Sequence, residues 1–537
     1  MCMGMPSVRS RALSGARLPS LIRLQIVQRR VDWASPLGQI REAPRPRGLA
    51  LLKSPPSMTD HSHAEGPVAA TQVDACSVPM SGGKLCGRPL LGSGISPCLM
   101  HASGSKDGAA FQREFERILD EAGTGVADFT LFVFPSADYE RREFKARCVF
   151  YNVAFAQPAV FFEARFEQDA EFTGAAFKHN AIFGKAWFMG NVTFLVARFD
   201  QEADFSQTTF SRDAEFSGAT FAQHAEFIAA AFKLVAYFIG AKFLGTAGFR
   251  GTEFREDEGL LPGPVFCLAE FSRPETIVFY KTYLGQALFH NCDVSKLNFS
   301  AVYWRERRKN GKRMVFEEVV TPVSYGETTR ALRPKKGDPN ERDYGLIAEL
   351  YQQLKKNYDE RKDYWTAGDF HYGEMEMKRM HSRGKSRSAR WFHRNLGLVA
   401  WYKYASQYGE SYARPFVVLM IVLGIFTLLF PWAGLERNES TPHSPASAQA
   451  PPAAAASELS YRHFHDFVRA YPGRKWTGPA AFFGNSLMTV LSVAGFQKEL
   501  KYEPSYPWGR ALALLELLLT STLIALFLLA VRRQFKR

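Results

Sequence analysis

From Phe150 to Phe254 a phenylalanine arrives every five or six residues, and the two spacings alternate without a break: 150, 155, 161, 166, 172, 177, 183, 188, 194, 199, 205, 210, 216, 221, 227, 232, 238, 243, 249 and 254. The unit is therefore eleven residues, A-x-F-x-x-x-A-x-F-x-x, and the position two before each ring is Ala, Val, Thr or Cys at all twenty sites. A fixed repeat of this kind decides the architecture. Eleven residues also suit a right-handed helical coiled coil. At about 100° per residue, however, steps of five and six turn successive rings by roughly 140° and 240°, and no apolar stripe forms. In an extended chain residues i and i+2 share a face. Small residue and ring then point inward together, while Glu171, Asp204, Glu215, Glu226, Lys242 and Glu253 between them point out. Four such short sides make a coil of about twenty-two residues. At ~4.8 Å between coils, twenty rings give about five coils, roughly 20 to 24 Å tall.

This Phe-centred beat resembles the pentapeptide-repeat proteins, and the resemblance implies a right-handed quadrilateral β-helix over residues 147–304. The departure is the additional residue in every second unit, which bears on how the corners are built. From Phe161 to Phe254 there are eleven acidic and eight basic residues, a net of about −3. Some pentapeptide-repeat proteins imitate DNA, and so weak a negative charge argues against that role. No nucleic-acid partner is expected.

The chain has 537 residues, a net charge of +14 and seven scattered cysteines, which suit a reducing compartment better than a disulfide framework. Residues 1–57 are Arg-rich and acid-poor. They read either as a transit peptide or as a stretch upstream of a true start at Met58, and they carry no fold argument. Cys76, Cys86, Cys98 and His101 follow in segment 58–110, among Gly and Pro residues that permit tight turns. Three thiolates and one imidazole complete a tetrahedral structural zinc shell. Because the spacing is not a standard zinc-finger one, three unligated thiols beside an exposed histidine is the competing reading. The resemblance bears on the choice, since similar C…C-G-R-P…C-x-x-H patches open other members of the family, here followed by a helix start over Lys106–Phe115. A small zinc knuckle capping the solenoid, with residues 111–146 as its N-terminal cap, is expected.

After the solenoid, residues 305–340 read as a basic irregular linker. In 341–382, Ile347, Leu350, Tyr351, Leu354 and Tyr358, then Ala367, Phe370 and Met377, fall at helical spacing around a charged break, an αα-hairpin. Asp369, Glu374 and Glu376 read as a solvated helix face. From 378 to 404 eight basic residues interleave with Trp391, Phe392, Leu396, Leu398, Trp401 and Tyr404 and no acid. That pattern predicts a basic helix over 383–412 lying on anionic membrane lipids.

Pro415–Leu435 and Ala511–Val531 are long and apolar enough to span a bilayer. The Y-x-Q-L-K-x-N-Y…A-G-D-F-x-x-G-E-M-E-M stretch resembles segments that join pentapeptide repeats to pore-type membrane domains in bacterial proteins. Basic flanks place both termini in the cytoplasm, at the plasma (inner) membrane of a bacterium. Between the spans lie an Ala/Pro/Ser linker (436–458) and a short apolar run, Ala480–Val493, that suits a re-entrant pore helix. Domain 413–537 thus resembles two-helix, pore-loop channels of the potassium-channel superfamily. The resemblance implies a homotetramer with filter candidates Thr489, Ser492, Val493, Ala494, Gly495 and Phe496. Only one glycine stands where two are expected for a carbonyl-lined filter, so the filter is degenerate. Glu516 inside the second span is a functional candidate by its cost alone, or a structural brace.

No P-loop, G-x-G-x-x-G, G-x-S-x-G or H-E-x-x-H motif is present, and no enzymatic activity is expected. The expected function is ion transport or its regulation. The alternative is a non-conducting membrane scaffold whose β-helix wall binds a cytoplasmic protein.

Overall fold

A coil built on alternating Phe and small residues has nowhere to put its backbone groups except the coil above and the coil below, and the parallel ladders of this chain do that. The computed structural model describes residues 75–91, 97–256, 261–320, 342–381, 386–433, 435–437, 477–495, 502–504 and 507–536, within the compact unit Thr71–Arg537. The 1–57 extension lies outside them, with the unit Met1–Ala70. Four sheets of seven, seven, eight and five short strands form the walls of a β-solenoid. Ala176 and Phe177 lie opposite Ala154 and Phe155 on one side and Arg198 and Phe199 on the other, a register of twenty-two residues. Each Phe amide is taken by the next turn, as in Phe172 N to Thr193 O at 2.7 Å and Phe194 N to Glu215 O at 2.6 Å.

The rings stack in columns down the axis. Phe150, Phe172, Phe194, Phe216 and Phe238 follow one another at centroid distances of 4.7, 4.9, 5.0 and 5.1 Å, nearly parallel. All twenty rings are at most 4 % exposed, so apolar burial dominates the stability of the stack. Where the small position is a threonine, its hydroxyl donates inward to a backbone carbonyl, Thr208 to Phe183 and Thr252 to Phe227, each at 2.7 Å.

The solenoid has about eight turns, against the five counted from the unbroken beat. Irregular turns at both ends join the stack. The first wall strand is Val126–Asp128, paired with Arg147–Val149, so the segment expected as a cap is itself largely wall. At the far end Phe266, Phe279, Phe289 and Phe299 continue the columns across spacings of the sequence that no longer keep time.

Two kinds of corner account for the five–six alternation. In every five-residue step from Phe150 to Phe254, the residue two after the ring has positive φ: Asn152, Glu163, Gly174, Lys185, Val196, Gln207, Gly218, Ala229, Gly240 and Gly251. None of the six-residue steps has such a residue. One left-handed residue turns the chain tightly; without it, the corner takes one more residue to make the same turn.

Both ends are closed. At the first, α1 (Gly108–Ala122) is capped by Asp107, whose carboxylate accepts from Ala109 N and Ala110 N at 2.9 and 3.1 Å. Its buried Phe115 stacks on Phe129 at 4.7 Å and Tyr139 at 4.8 Å. At the other, α2 (Tyr344–Glu360) and α3 (Tyr364–Met380) form an antiparallel hairpin across the last turn. Polar groups of α2 take the place of a further turn. Asn357 Nδ2 donates to Val294 O and Leu297 O at 3.0 and 2.8 Å, Gln353 Oε1 accepts from Val294 N at 3.0 Å, and Arg361, just past the helix, donates to Phe299 O and Leu297 O. Over its described residues, 305–320, the region expected as an irregular linker is structured: Arg305–Glu306 pairs antiparallel with Arg313–Met314, and Val315 N donates to Tyr351 Oη at 3.1 Å.

Beyond the hairpin come α4 (Arg387–Leu396) and α5 (Leu398–Ser406), separated at Gly397, where one continuous helix was expected. They lead into α6 (Ala413–Ala433), α7 (Thr477–Ala494) and α8 (Pro507–Lys536). Helices α6 and α8 are long and apolar enough to cross a membrane. Leu435–Arg437 pairs antiparallel with Tyr502–Pro504, joining the chain after α6 to the chain before α8. Most of the 436–458 linker lies outside the described residues.

Candidate functional site

Chemistry-bearing residues gather in three places. The first is at the N-terminal end of the solenoid. An antiparallel bridge between Ala75 and Pro89, and another between Pro79 and Leu85, fold Cys76 and Cys86 beside each other, and a bridge between Leu90 and Cys98 brings in the third thiol. His101 follows on the turn after Cys98, its amide donating to Cys98 O at 3.0 Å. The ligand atoms of Cys76, Cys86, Cys98 and His101 lie within 4.8 Å of one another. His101 Nδ1 faces the sulfurs, 3.5 Å from Cys76 Sγ and 3.2 Å from Cys98 Sγ. Its Nε2 sits 3.1 Å from Thr130 O, so the ring donates away from the cluster and presents a lone pair to it. That second contact is the orienting bond typical of a metal-ligating histidine, and four soft donors in this geometry can hold a metal ion. Arg88 Nη1 lies 3.4 Å from Cys86 Sγ while its Nε donates to Glu114 of α1 at 2.6 Å, tying cluster to cap. Burial raises the Cys98 thiol to about 12.

The second place is the joint between the hairpin and the apolar helices α6 and α8. Here the reading of a solvated face is corrected: Asp369, Glu374 and Glu376 are 7, 4 and 8 % exposed, and each is ion-paired. Asp369 takes Lys312 at 3.1 Å and Arg313 at 3.0 Å. Glu374 takes Lys378 at 2.5 Å, and although burial raises its pKa, the neighbouring His371, Lys378 and Lys355 hold it at about 2. Glu376 accepts from Arg379 at 2.9 Å, Lys403 at 3.1 Å and Tyr408 Oη at 2.6 Å. Burial raises that carboxyl too, and these partners reverse it. Part of the basic stretch thus faces inward. Arg383 and Lys385 lie outside the described residues. Trp391, Phe392, Leu398 and Trp401 are 56, 57, 89 and 61 % exposed, an apolar face on α4 and α5. Arg533, near the end of α8, donates to Tyr408 O at 3.0 Å, so the end of the second long helix returns to the start of the first.

The third place is between α6, α7 and α8. Leu423, Phe426 and Phe430 of α6 pack with Val490 of α7, and Leu512 and Ala513 of α8 lie against them. Pro431 has no N–H to give the carbonyl four residues earlier, Thr427 O. Ser486 Oγ donates to that oxygen instead, at 2.7 Å. Ser486, Thr489, Glu516 and Thr520 are buried here at 0, 3, 0 and 0 %. Neither carboxylate oxygen of Glu516 has a hydrogen-bond partner among the described residues.

Of the filter candidates, Thr489 and Ser492 to Ala494 lie on α7. Gly495 N still donates to Leu491 O at 2.9 Å, so the backbone is helical where a carbonyl-lined filter was expected. Phe496 lies outside the described residues. The sequence reading missed Gln353, Asn357 and Arg361, whose signal was there as polar residues spaced by four on one side of an otherwise amphipathic helix. Comparison with known protein families and with curated proteins finds no match for this chain.

Proposed function

We propose that the chain is a membrane protein in which a cytoplasmic β-helix of the right-handed pentapeptide-repeat type is mounted on a two-span, channel-like domain that assembles as a homotetramer and conducts ions or regulates their passage. The observation that carries the reading is the packing of the short apolar helix α7 against α6 and α8, with Ser486, Thr489, Glu516 and Thr520 enclosed among them. Polar and ionisable groups at that depth cost enough to be kept for a purpose. The basic, aromatic face of α4 and α5 rests on anionic headgroups, and both termini lie on the cytoplasmic side of a bacterial inner membrane. The ion at Cys76, Cys86, Cys98 and His101 is zinc, the metal that three thiolates and an imidazole select in a closed structural shell.

A second reading draws on the helical backbone at Ser492–Ala494. A filter of inward carbonyls needs extended backbone there, and without it the membrane domain is an anchor and the solenoid wall a docking surface for a cytoplasmic protein. Single-channel recording of the full chain in planar bilayers, under potassium, sodium and chloride gradients, separates the two. Unitary currents that follow one ion establish the pore. Silence from intact tetramers establishes the anchor.

A further inference from the structure

A cleft of about 350 Å³ opens where the hairpin meets the membrane helices, lined among others by Lys355 and Asp359 of α2, Tyr364 and His371 of α3, Glu410 and Arg533. Three stretches of chain that are far apart in sequence meet in it: the α2–α3 hairpin, the segment before α6 and the end of α8. Glu410 stands three residues before α6 begins, and Arg533 is the last residue of the apolar span within α8. The volume is that of a small-ligand site.

The donors that line it are under-used. Both ring nitrogens of His371 are buried without a hydrogen-bond partner among the described residues. The nearest carboxylate oxygen, Glu374 Oε2, is 3.6 Å from Nδ1, beyond hydrogen-bond reach. That same oxygen is the acid nearest Lys355 Nζ, again at 3.6 Å. Among the described residues, Arg533 spends one N–H on Tyr408 O and meets Glu410 at 3.7 Å. The buried imidazole left in this state is costly, the half-buried Lys355 and the exposed Arg533 stand beside it, and a multi-oxygen anion is the group that answers an imidazole, an ammonium and a guanidinium together. Asp359 and Glu410 oppose a bare anion in general. So does Glu374, 3.6 Å from two of the donors, and an anion held here has to engage all three donors at once.

We propose that this cleft binds a phosphate group, with its oxygens on Lys355, His371 and Arg533, and that the bound group fastens the hairpin to the end of α8. A soluble phosphate compound and a phospholipid headgroup offer the same chemistry. The headgroup source rests on the reading of α6 and α8 as membrane spans; the soluble source does not.

The test is the melting midpoint of the full-length protein in neutral detergent. In one arm inorganic phosphate is titrated against chloride at matched ionic strength. In the other, mixed micelles carry short-chain phosphatidic acid, with a neutral diacylglycerol of the same chain length as control. A saturable rise of roughly 3 °C or more is expected in at least one arm, abolished in Lys355→Met and in His371→Gln. A response to inorganic phosphate assigns a soluble ligand. A response confined to phosphatidic acid assigns the headgroup. Lys355 is 34 % exposed, so Lys355→Met carries the test if His371→Gln fails to fold. Wild type flat in both arms, or a rise that survives in Lys355→Met, overturns the proposal. Bilayer recordings play no part in this readout, so a silent pore leaves it intact.

Discussion

The backbone N–H of Phe289 donates to the carboxylate of Glu317 at 2.5 Å. In earlier turns the same amide reaches a carbonyl of the following coil, as Phe266 N reaches Leu288 O at 2.8 Å. Where this wall runs out of coils, a side chain from the segment after the solenoid supplies the acceptor. Glu317 is fully enclosed. Burial pushes its carboxyl up from 4.5 to about 7, although the amides of Phe289 and His290 pull the other way. The native chain therefore binds more protons at this site than the unfolded chain between those two values, and the contribution of Glu317 falls as pH rises through that window. At ~1.4 kcal/mol per pH unit the loss is roughly 3 kcal/mol. Melting midpoints of wild type and Glu317→Gln, compared from pH 4.5 to 7.5, should converge at the acid end and part in the variant's favour at the neutral end. A constant difference across the range would refute this account.

Asn357 holds two backbone carbonyls of the terminal turns. In Asn357→Leu, Val294 O and Leu297 O lose those donors, at a cost of about 1 to 3 kcal/mol. Hydrogen exchange should quicken around residues 289–304 and stay as it was around 150–200. Uniform quickening would mean that the solenoid melts as one block and that Asn357 is not a local cap.

Ser486 answers the carbonyl that Pro431 leaves open. Ser486→Ala should cost about 1 kcal/mol or more, and adding Pro431→Ala should recover most of it, because the helix then satisfies Thr427 O itself. Denaturation of the two variants in detergent forms the cycle. Simple additivity of the two changes would sink the pairing.

Val196 is β-branched, 60 % exposed and held at a φ of 55°, while its neighbours in the same corner column, Gly174 and Gly218, are glycines at 69° and 64°. Val196→Gly should leave the core untouched and raise stability by ~1 kcal/mol. Chemical denaturation of the soluble solenoid signal reads this directly, and a loss of similar size would show that the side chain packs for more than its exposure suggests.

Purified protein should carry about one zinc per chain by plasma mass spectrometry, and Cys98→Ser should carry none. With the metal gone, hydrogen-exchange protection should fall in the thiol loop, at the amides of Cys76 and Cys86 that bond Arg88 O and Val78 O. Wild type free of stoichiometric metal would return the cluster to three thiols and a histidine.

How far the sequence could be read follows from the range of each interaction. The rings and their small partners repeat within eleven residues, and the wall was legible because its cause is local. The corner rule was half legible: five against six showed in the spacing, but not that Asn152 or Lys185 would sit at positive φ. Asp369 looked solvated because Lys312 and Arg313, the cations that bury it, lie more than fifty residues upstream. Thr489 and Ser492 lie in an apolar run whose helix is legible from its composition, yet nothing local tells where a helix stops when Gly495 still bonds back into it.

A stack of equivalent turns is a template for its own growth, since each finished coil offers the next chain the edge it has just used itself. Gln353, Asn357, Arg361 and Glu317 withdraw that offer at one end, and α1 covers the other. The length of this rod is thereby written into a single chain, and concentration has no say in it. Polymerisation into fibres, the ordinary hazard of parallel β-structure, is closed off by a handful of side chains whose only substrate is their own backbone.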